Sequence, residues 1–329
     1  MQMMIGYWVS QIIYVAAKLG IADQLKDGER HFEALANEVN ANPTALYRLL
    51  RALAGLGIFA ETEAGYFSLT PLAHYLQSDT AGSLRDIAIM LGDPEHYNSW
   101  GNILHSVRTG ECAFDNLFGM NIFEHLEQNP DAASVFNRAM TSFSTAEGMA
   151  VLAAYDFSSI NTLMDVAGGQ GHLLTTVLQA NPGMKGILFD LPKVIEPARA
   201  LIAATPVADR CQLVGGSFFD PLPMGVDACI LKHIIHDWDD ERAIAILKQC
   251  HGALTDNGKI LLVEQVIPPG NEPFVGKLMD INMMAVAPGG KERTGAEYEA
   301  LLTVAGFRLT RIVPTQNPVS IVEAVKLTL

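Results

Sequence analysis

Positive charge is scarce in this chain. Its 22 lysines and arginines stand against 36 aspartates and glutamates, a formal net charge of −14, and a protein of that sign repels phosphate backbones and anionic lipid. Nucleic acid and membrane surfaces are therefore not expected partners. Cysteine is also scarce. Cys112, Cys211, Cys229 and Cys250 are scattered with no Cys-x-x-Cys pair, which argues against a disulfide framework and fits reduced thiols in a cytoplasm. Long apolar runs are missing too. The most apolar stretch, MQMMIGYWVSQIIYVAAKLG at residues 1–20, has no basic leading region, is too short to span and carries Ser10 and Gln11 within it, so it reads as a buried packing or dimer helix. Repeats and low-complexity segments are absent from the sequence.

What is present is enough apolar material for a full core. At 329 residues and 49% hydrophobic content the chain is expected to form two domains, residues 1–95 and 96–329. The first is patterned as helix, with starts at Asn42-Pro43 and Thr70-Pro71, where a capping side chain precedes a proline whose missing N–H costs nothing. Between them, TALYRLLRALAGLGIFAETEAGYFSLT reads as a helix ending near Gly55 and Gly57, then two short strands around Gly65: an otherwise all-helical winged helix-turn-helix. Its second helix offers only Arg48 and Arg51 beyond the leucines at core spacing, so a dimerisation domain fits better than a DNA reader or a ligand-sensing regulator.

A helical connector runs to about residue 150. After it, NTLMDVAG, KGILFDL, CQLVGGS, VDACILKHI and KILLVEQVI are short apolar segments alternating with helical ones, the pattern of a Rossmann-like α/β sheet wound on both faces. RLTRIVPT and VSIVEAVK are joined too tightly for a crossover helix and must close the sheet as an antiparallel hairpin.

MDVAGGQGHLL follows the first of these strands and opens a helix, and Asp190 ends the second. Glycines there let the backbone approach a bound nucleotide, and an acid at the second strand end suits ribose hydroxyls. Leu174 stands where a dinucleotide fold uses its third glycine, which argues against NAD. A loop beginning with Asp165 suits S-adenosylmethionine, which has an adenosine, no phosphate and two cationic groups.

His236, in LKHIIHDWDD, lies just past the fourth strand and Glu264 near the end of the fifth, so both should face the crevice at the strands' carboxyl ends. Glu292, in PGGKERT, precedes a helix that Thr294 and Glu297 start as a capping box. A histidine so placed can take a hydroxyl proton, and a carboxylate on its other nitrogen can fix the tautomer. Other roles stay open at this point. His236 can cap the helix that follows, Glu264 can be a surface acid, Glu292 can pair with Lys291 or Arg293, and Lys232 can be an edge lysine. His233 and His236 together lack a third metal ligand at suitable spacing.

The motifs DVAGGQG, FDLP, GGSFFDPLP, HDWDDE, DNGKILLVE and PGGKERT resemble S-adenosylmethionine-dependent O-methyltransferases of the plant caffeate and acetylserotonin type and their bacterial natural-product relatives, over essentially the whole chain. The resemblance implies an N-terminal domain that makes a homodimer, a small hydroxylated substrate, and conversion of the cofactor to S-adenosylhomocysteine without a metal. It implies His236 as general base flanked by Glu264 and Glu292. It further implies cofactor contacts from Ser144, Asp165, Ala167, Gly168, Gly169, Asp190, Leu191, Ser217, Phe218 and Lys232. Phe136, Met140, Phe143, Asp237, Met279 and Met283 are expected to line the substrate pocket. Ala167, Ser217, His233 and Ala287 depart from the family pattern, the last of these against a plant phenylpropanoid substrate.

Overall fold

The computed structural model describes residues 1–80 and 82–327, with the side chains of Thr145 and Ala146 left out. The chain divides into two compact units, Met1–Gly101 with Ile122–Phe143, and Asn102–Asn121 with Ser144–Leu329. Residues 122–143, which the sequence reading groups with the second domain, therefore cluster with the first.

In the first unit the helix Pro43–Gly55 begins as its sequence dictates: Asn42 accepts a hydrogen bond from the Ala45 amide at 3.0 Å, and Pro43 fills the first helical position. Leu46, Leu50 and Leu53 face its core. The two strands expected around Gly65 are present, and a third pairs with them. Strands β1 (Arg30–His31), β2 (Phe59–Glu63) and β3 (Tyr66–Leu69) form an antiparallel sheet in the order β1-β3-β2, with Gly65 at φ +84° in the turn of the hairpin. The helix expected from Thr70-Pro71 does not develop. The Thr70 hydroxyl accepts from the Ala73 amide but donates back to the Ile58 carbonyl at 2.7 Å, and only a single 3-10 turn, Ala73–Leu76, follows. The N-terminal segment, read as a buried packing or dimer helix, is not buried within the chain itself. In the helix Gly6–Lys18 only Ala16 and Ala17 are buried, while Met1, Met3, Met4, Tyr7 and Trp8 are each more than half exposed. Among the described residues no helix is long and apolar enough to cross a membrane.

The second unit is built on a seven-stranded sheet. β4 (Thr162–Val166), β5 (Lys185–Asp190), β6 (Cys211–Gly215), β7 (Val226–Lys232) and β8 (Leu254–Glu264) are parallel. β9 (Val266–Ile267) and β10 (Arg293–Thr294) make a separate parallel pair. β11 (Phe307–Pro314) and β12 (Ser320–Lys326) form the expected hairpin, and β12 lies antiparallel against β8, giving the order β11-β12-β8-β7-β4-β5-β6. Because side chains alternate along a strand, each strand feeds two cores. Cys229 and Leu231 of β7 pack with the helices Asp240–Ala253 and Gly295–Val304, whereas Ala228 and Ile230 pack with His172–Ala180 and Pro192–Ala203.

A polar anchor ties the chain just after the helix Pro130–Ala154 to this sheet. Tyr155, the residue after it, donates to the Glu323 carboxylate on β12, which also accepts from Thr310 at 2.7 Å and Arg311 at 3.0 Å. Burial would raise the Glu323 carboxyl, but the hydrogen bonds from Thr310, Tyr155 and Arg311 outweigh it and hold it down at about 2. A carboxyl depressed in the folded state contributes stability that is complete above its ordinary 4.5 and lost as pH falls toward 2. Unfolding in urea should therefore show about 1–3 kcal/mol lost over that interval, discounted for the exposed Arg311, and the Glu323→Gln variant should lack that part of the slope.

Candidate active site

The loop after β4 is shaped by backbone need. Ala167, Gly169 and Gly171 all lie at positive φ (+57°, +60° and +80°), and the Ala167 amide bonds the Phe189 carbonyl at 2.7 Å. A Cβ on Gly168 would lie 2.5 Å from the Asp165 carboxyl carbon, and one on Gly171 would meet Ile202 and Leu188 at 2.9 and 3.0 Å. Close packing of helix on strand is thus supplied by Gly171, and Leu174 is free to fill the core. A Cβ on Gly169 would meet nothing within 4 Å, so an incoming group can approach the backbone there. Asp190 organises the loop: its carboxylate accepts from the Gly169 amide at 2.8 Å and from the Leu191 amide at 2.7 Å. Burial raises the Asp190 carboxyl against those two bonds.

Asp165 is buried, and its Oδ2 has no hydrogen-bond partner among the described residues. Burial pushes its carboxyl up to about 7, with Lys232 working against that and Asp190 for it. An orphaned acid beneath a glycine loop with open backbone fits a cofactor carrying hydroxyls and positive charge. Ser217 accepts from the Phe219 amide at 3.2 Å, and Phe218 meets Phe219 and Trp238 edge-on at 5.0 and 5.9 Å between ring centres. Lys232 does not snorkel. Its Nζ donates to the Ser144 hydroxyl at 2.8 Å and to Glu147 at 3.3 Å, so two expected cofactor residues touch each other.

His236 occupies a short 3-10 turn, Ile235–Asp237, just beyond β7. Its Nδ1 lies 2.8 Å from Glu292 Oε1 and 3.7 Å from Glu264 Oε2, while Nε2 is 3.6 Å from Asp237 Oδ1. Glu264 is no surface acid: it is fully buried, and its Oε1 accepts from the Ile234 and Ile235 amides at 3.2 and 2.9 Å. Helix capping falls to Asp239, which accepts from the Arg242 amide at 2.9 Å, and so not to His236. Glu292 pairs with neither sequence neighbour, since Lys291 and Arg293 both turn to Asp240. Burial alone would lower the His236 imidazole, but Glu264, then Glu292 and Asp237, outweigh it and push it up to about 10. Burial raises Glu264 as well, against the positive charge of the two histidines.

Two residues escaped the sequence reading. Arg293 is wholly buried and donates to the carbonyls of Ile235 at 2.9 Å and Trp238 at 2.8 Å as well as to Asp240, gripping the turn whose amides Glu264 accepts. Glu147 bonds His233 Nε2 at 2.9 Å, and its spacing of three from Ser144 on one helix was the only clue. The expected substrate residues fall into separate groups. Phe136, Met140 and Phe143 pack around Ile87, Met90 and Ala139 in the first unit. Met279 and Met283 lie on the helix Gly276–Val286 of the second, Met283 buried and Met279 half-buried, and Asp237 stands beside His236.

Comparison with known proteins agrees with this geometry. A family profile described as an O-methyltransferase domain matches residues 100–308, and one described as an O-methyltransferase dimerisation domain matches residues 1–79. Phenazine O-methyltransferase PhzM of Lysobacter antibioticus is 46% identical over 98% of this chain and 94% of its own. The crystal structure of LaPhzM superimposes with a TM-score of 0.93 at 45% identity, covering 99% of this chain and 98% of the other. NcsB1, an O-methyltransferase from neocarzinostatin biosynthesis solved with S-adenosylmethionine and 2-hydroxy-5-methyl naphthoic acid, matches with a TM-score of 0.83 at 32% identity over 97% of this chain and 96% of its own. With both halves matched and the glycine loop and histidine in place, the chain belongs to the O-methyltransferase family.

Proposed function

We propose that this enzyme methylates a hydroxyl group on a small aromatic compound, with His236 as the base. The observation that carries the reading is the His236–Glu292 contact of 2.8 Å beside the buried carboxylate of Glu264. With Nδ1 turned to Glu292, Nε2 is the nitrogen left for a hydroxyl proton, and Glu292 holds the tautomer that makes it an acceptor. Glu264 and Glu292 then stabilise the imidazolium as the proton arrives. When bound, S-adenosylmethionine supplies the methyl group on a positively charged sulfur, and that charge also opposes a resting proton on the ring. The acceptor oxygen would take that methyl group, and its proton would pass to Nε2 of His236. Asp190 is positioned to accept ribose hydroxyls, and the backbone of Ala167 and Gly169 to border the same group. Ser144, Asp165, Leu191, Lys232, Ser217 and Phe218 complete that binding site.

The aromatic acceptor is supported by the phenazine and naphthoic acid in the relatives' names and by the methionines and phenylalanines expected around it. A nitrogen acceptor with a free lone pair has no need of the buried acid–imidazole cluster. We assign homodimerisation to the winged-helix unit, whose exposed Met1, Met3, Met4, Tyr7 and Trp8 form the kind of apolar surface a partner covers. The four buried cysteines, none in a disulfide, suit the cytoplasm.

Incubation with labelled S-adenosylmethionine and a panel of phenols, phenazines, hydroxynaphthoates and indoles should place label on a hydroxylated aromatic; label only on amines would contradict the reading. His236→Ala should bind cofactor within a few-fold of the parent and lose about 10²–10⁴ in turnover. Unchanged turnover would remove the base assignment. Arg293→Lys keeps the charge facing Asp240 but cannot reach both carbonyls, so kcat should fall at least about tenfold with cofactor affinity retained; Arg293→Met, leaving buried carbonyls unbonded, should cost about 3 kcal/mol in thermal unfolding.

A further inference from the structure

His233 is the feature this mechanism does not use. It sits at φ +54°, a costly conformation for a residue with a side chain. Glu147 bonds its Nε2 at 2.9 Å. The other ring nitrogen, Nδ1, faces Glu264 Oε2 at 3.9 Å. Both atoms are buried and neither has a hydrogen-bond partner among the described residues. The fully buried Glu264 Oε2 also lies 3.7 Å from His236 Nδ1. One donor atom from each of His233, His236 and Glu264 falls within 4.8 Å of the other two.

We propose that His233, His236 and Glu264 bind one divalent transition-metal ion, and that its occupancy switches the enzyme off. Two imidazoles and a carboxylate with room for a fourth ligand form a favourable donor set for Zn²⁺, whose bonds of about 2.0–2.2 Å ask these side chains to close in by less than about 1.5 Å. The charge balance favours a dication: the carboxylates of Glu147, Glu264, Glu292 and Asp237 lie at these histidines, with Lys232 paired to Glu147 and Arg293 paired to Asp240. Glu147 supplies the outer carboxylate that orients a metal-binding histidine. The third ligand was invisible in sequence because Glu264 comes from the next strand of the sheet. Inhibition rests on the role given above to His236, since a ring bound to metal cannot take a proton; the binding itself does not.

The test starts from chelator-treated protein in equilibrium dialysis against Zn²⁺. One ion per chain should bind at micromolar or lower concentration, Co²⁺ should show the visible bands of a four-coordinate ion, and methyl transfer should fall in step with occupancy. His233→Asn, which tolerates positive φ, should weaken Zn²⁺ binding by about 100-fold or more and desensitise turnover equally, each protein being compared with its own metal-free rate. A second variant, Glu264→Gln, should lose the Co²⁺ bands. Absence of stoichiometric binding, or binding unchanged in both variants, would overturn the site. Zn²⁺ bound as described with full methyl transfer would overturn the inhibition and the assignment of His236 as base, while the dialysis result kept the site.

Discussion

The structure of the site depends on how one turn is held as the chain leaves β7. Residues 234–240 run between a strand and a helix, so their backbone amides and carbonyls have no ladder to join, and buried groups of that kind must find partners. Glu264 receives the amides of Ile234 and Ile235, and Arg293 receives no proton but gives its own to the carbonyls of Ile235 and Trp238. A carboxylate below and a guanidinium at the side fix the peptide planes, and the imidazole of His236 follows. Because Glu264 spends one oxygen on the backbone and turns the other toward the ring, geometry and charge are set by the same residue.

That arrangement explains why a buried imidazole can be strongly basic. Burial alone favours the neutral ring, and it is the carboxylates around it that reverse the sign. The cofactor loop follows a similar logic on a smaller scale. Asp190 satisfies the amides of a strained glycine turn, while Asp165 is kept buried beneath it, its charge opposed by burial and favoured by Lys232. Lys232 in turn is held by Ser144 and Glu147, on a helix that Tyr155 and Glu323 pin to the sheet.

Much of this was legible in sequence because it is local. Asn42 before Pro43, Thr294 three residues before Glu297 and the short link between the last two strands each state their structure within a few residues, and each formed as expected. The strand-end rule also placed His236 and Glu264 at one crevice before any distance was known. What escaped depends on partners far along the chain. Arg293 reads as one more charge in a charged loop until the carbonyls it holds, more than fifty positions away, come into view. Glu147 reads as a solvated helix residue until His233 and Lys232 approach it. Thr70 failed in the other direction: its hydroxyl found the Ile58 carbonyl, a contact that no capping pattern encodes.

The most direct measurement is a crystal structure of the protein with S-adenosylhomocysteine and a hydroxylated aromatic acceptor. The account predicts the acceptor oxygen about 2.6–3.2 Å from Nε2 of His236, with Nδ1 still on Glu292. An acceptor oxygen out of reach of that nitrogen, with no water bridging them and another group beside it, would contradict it.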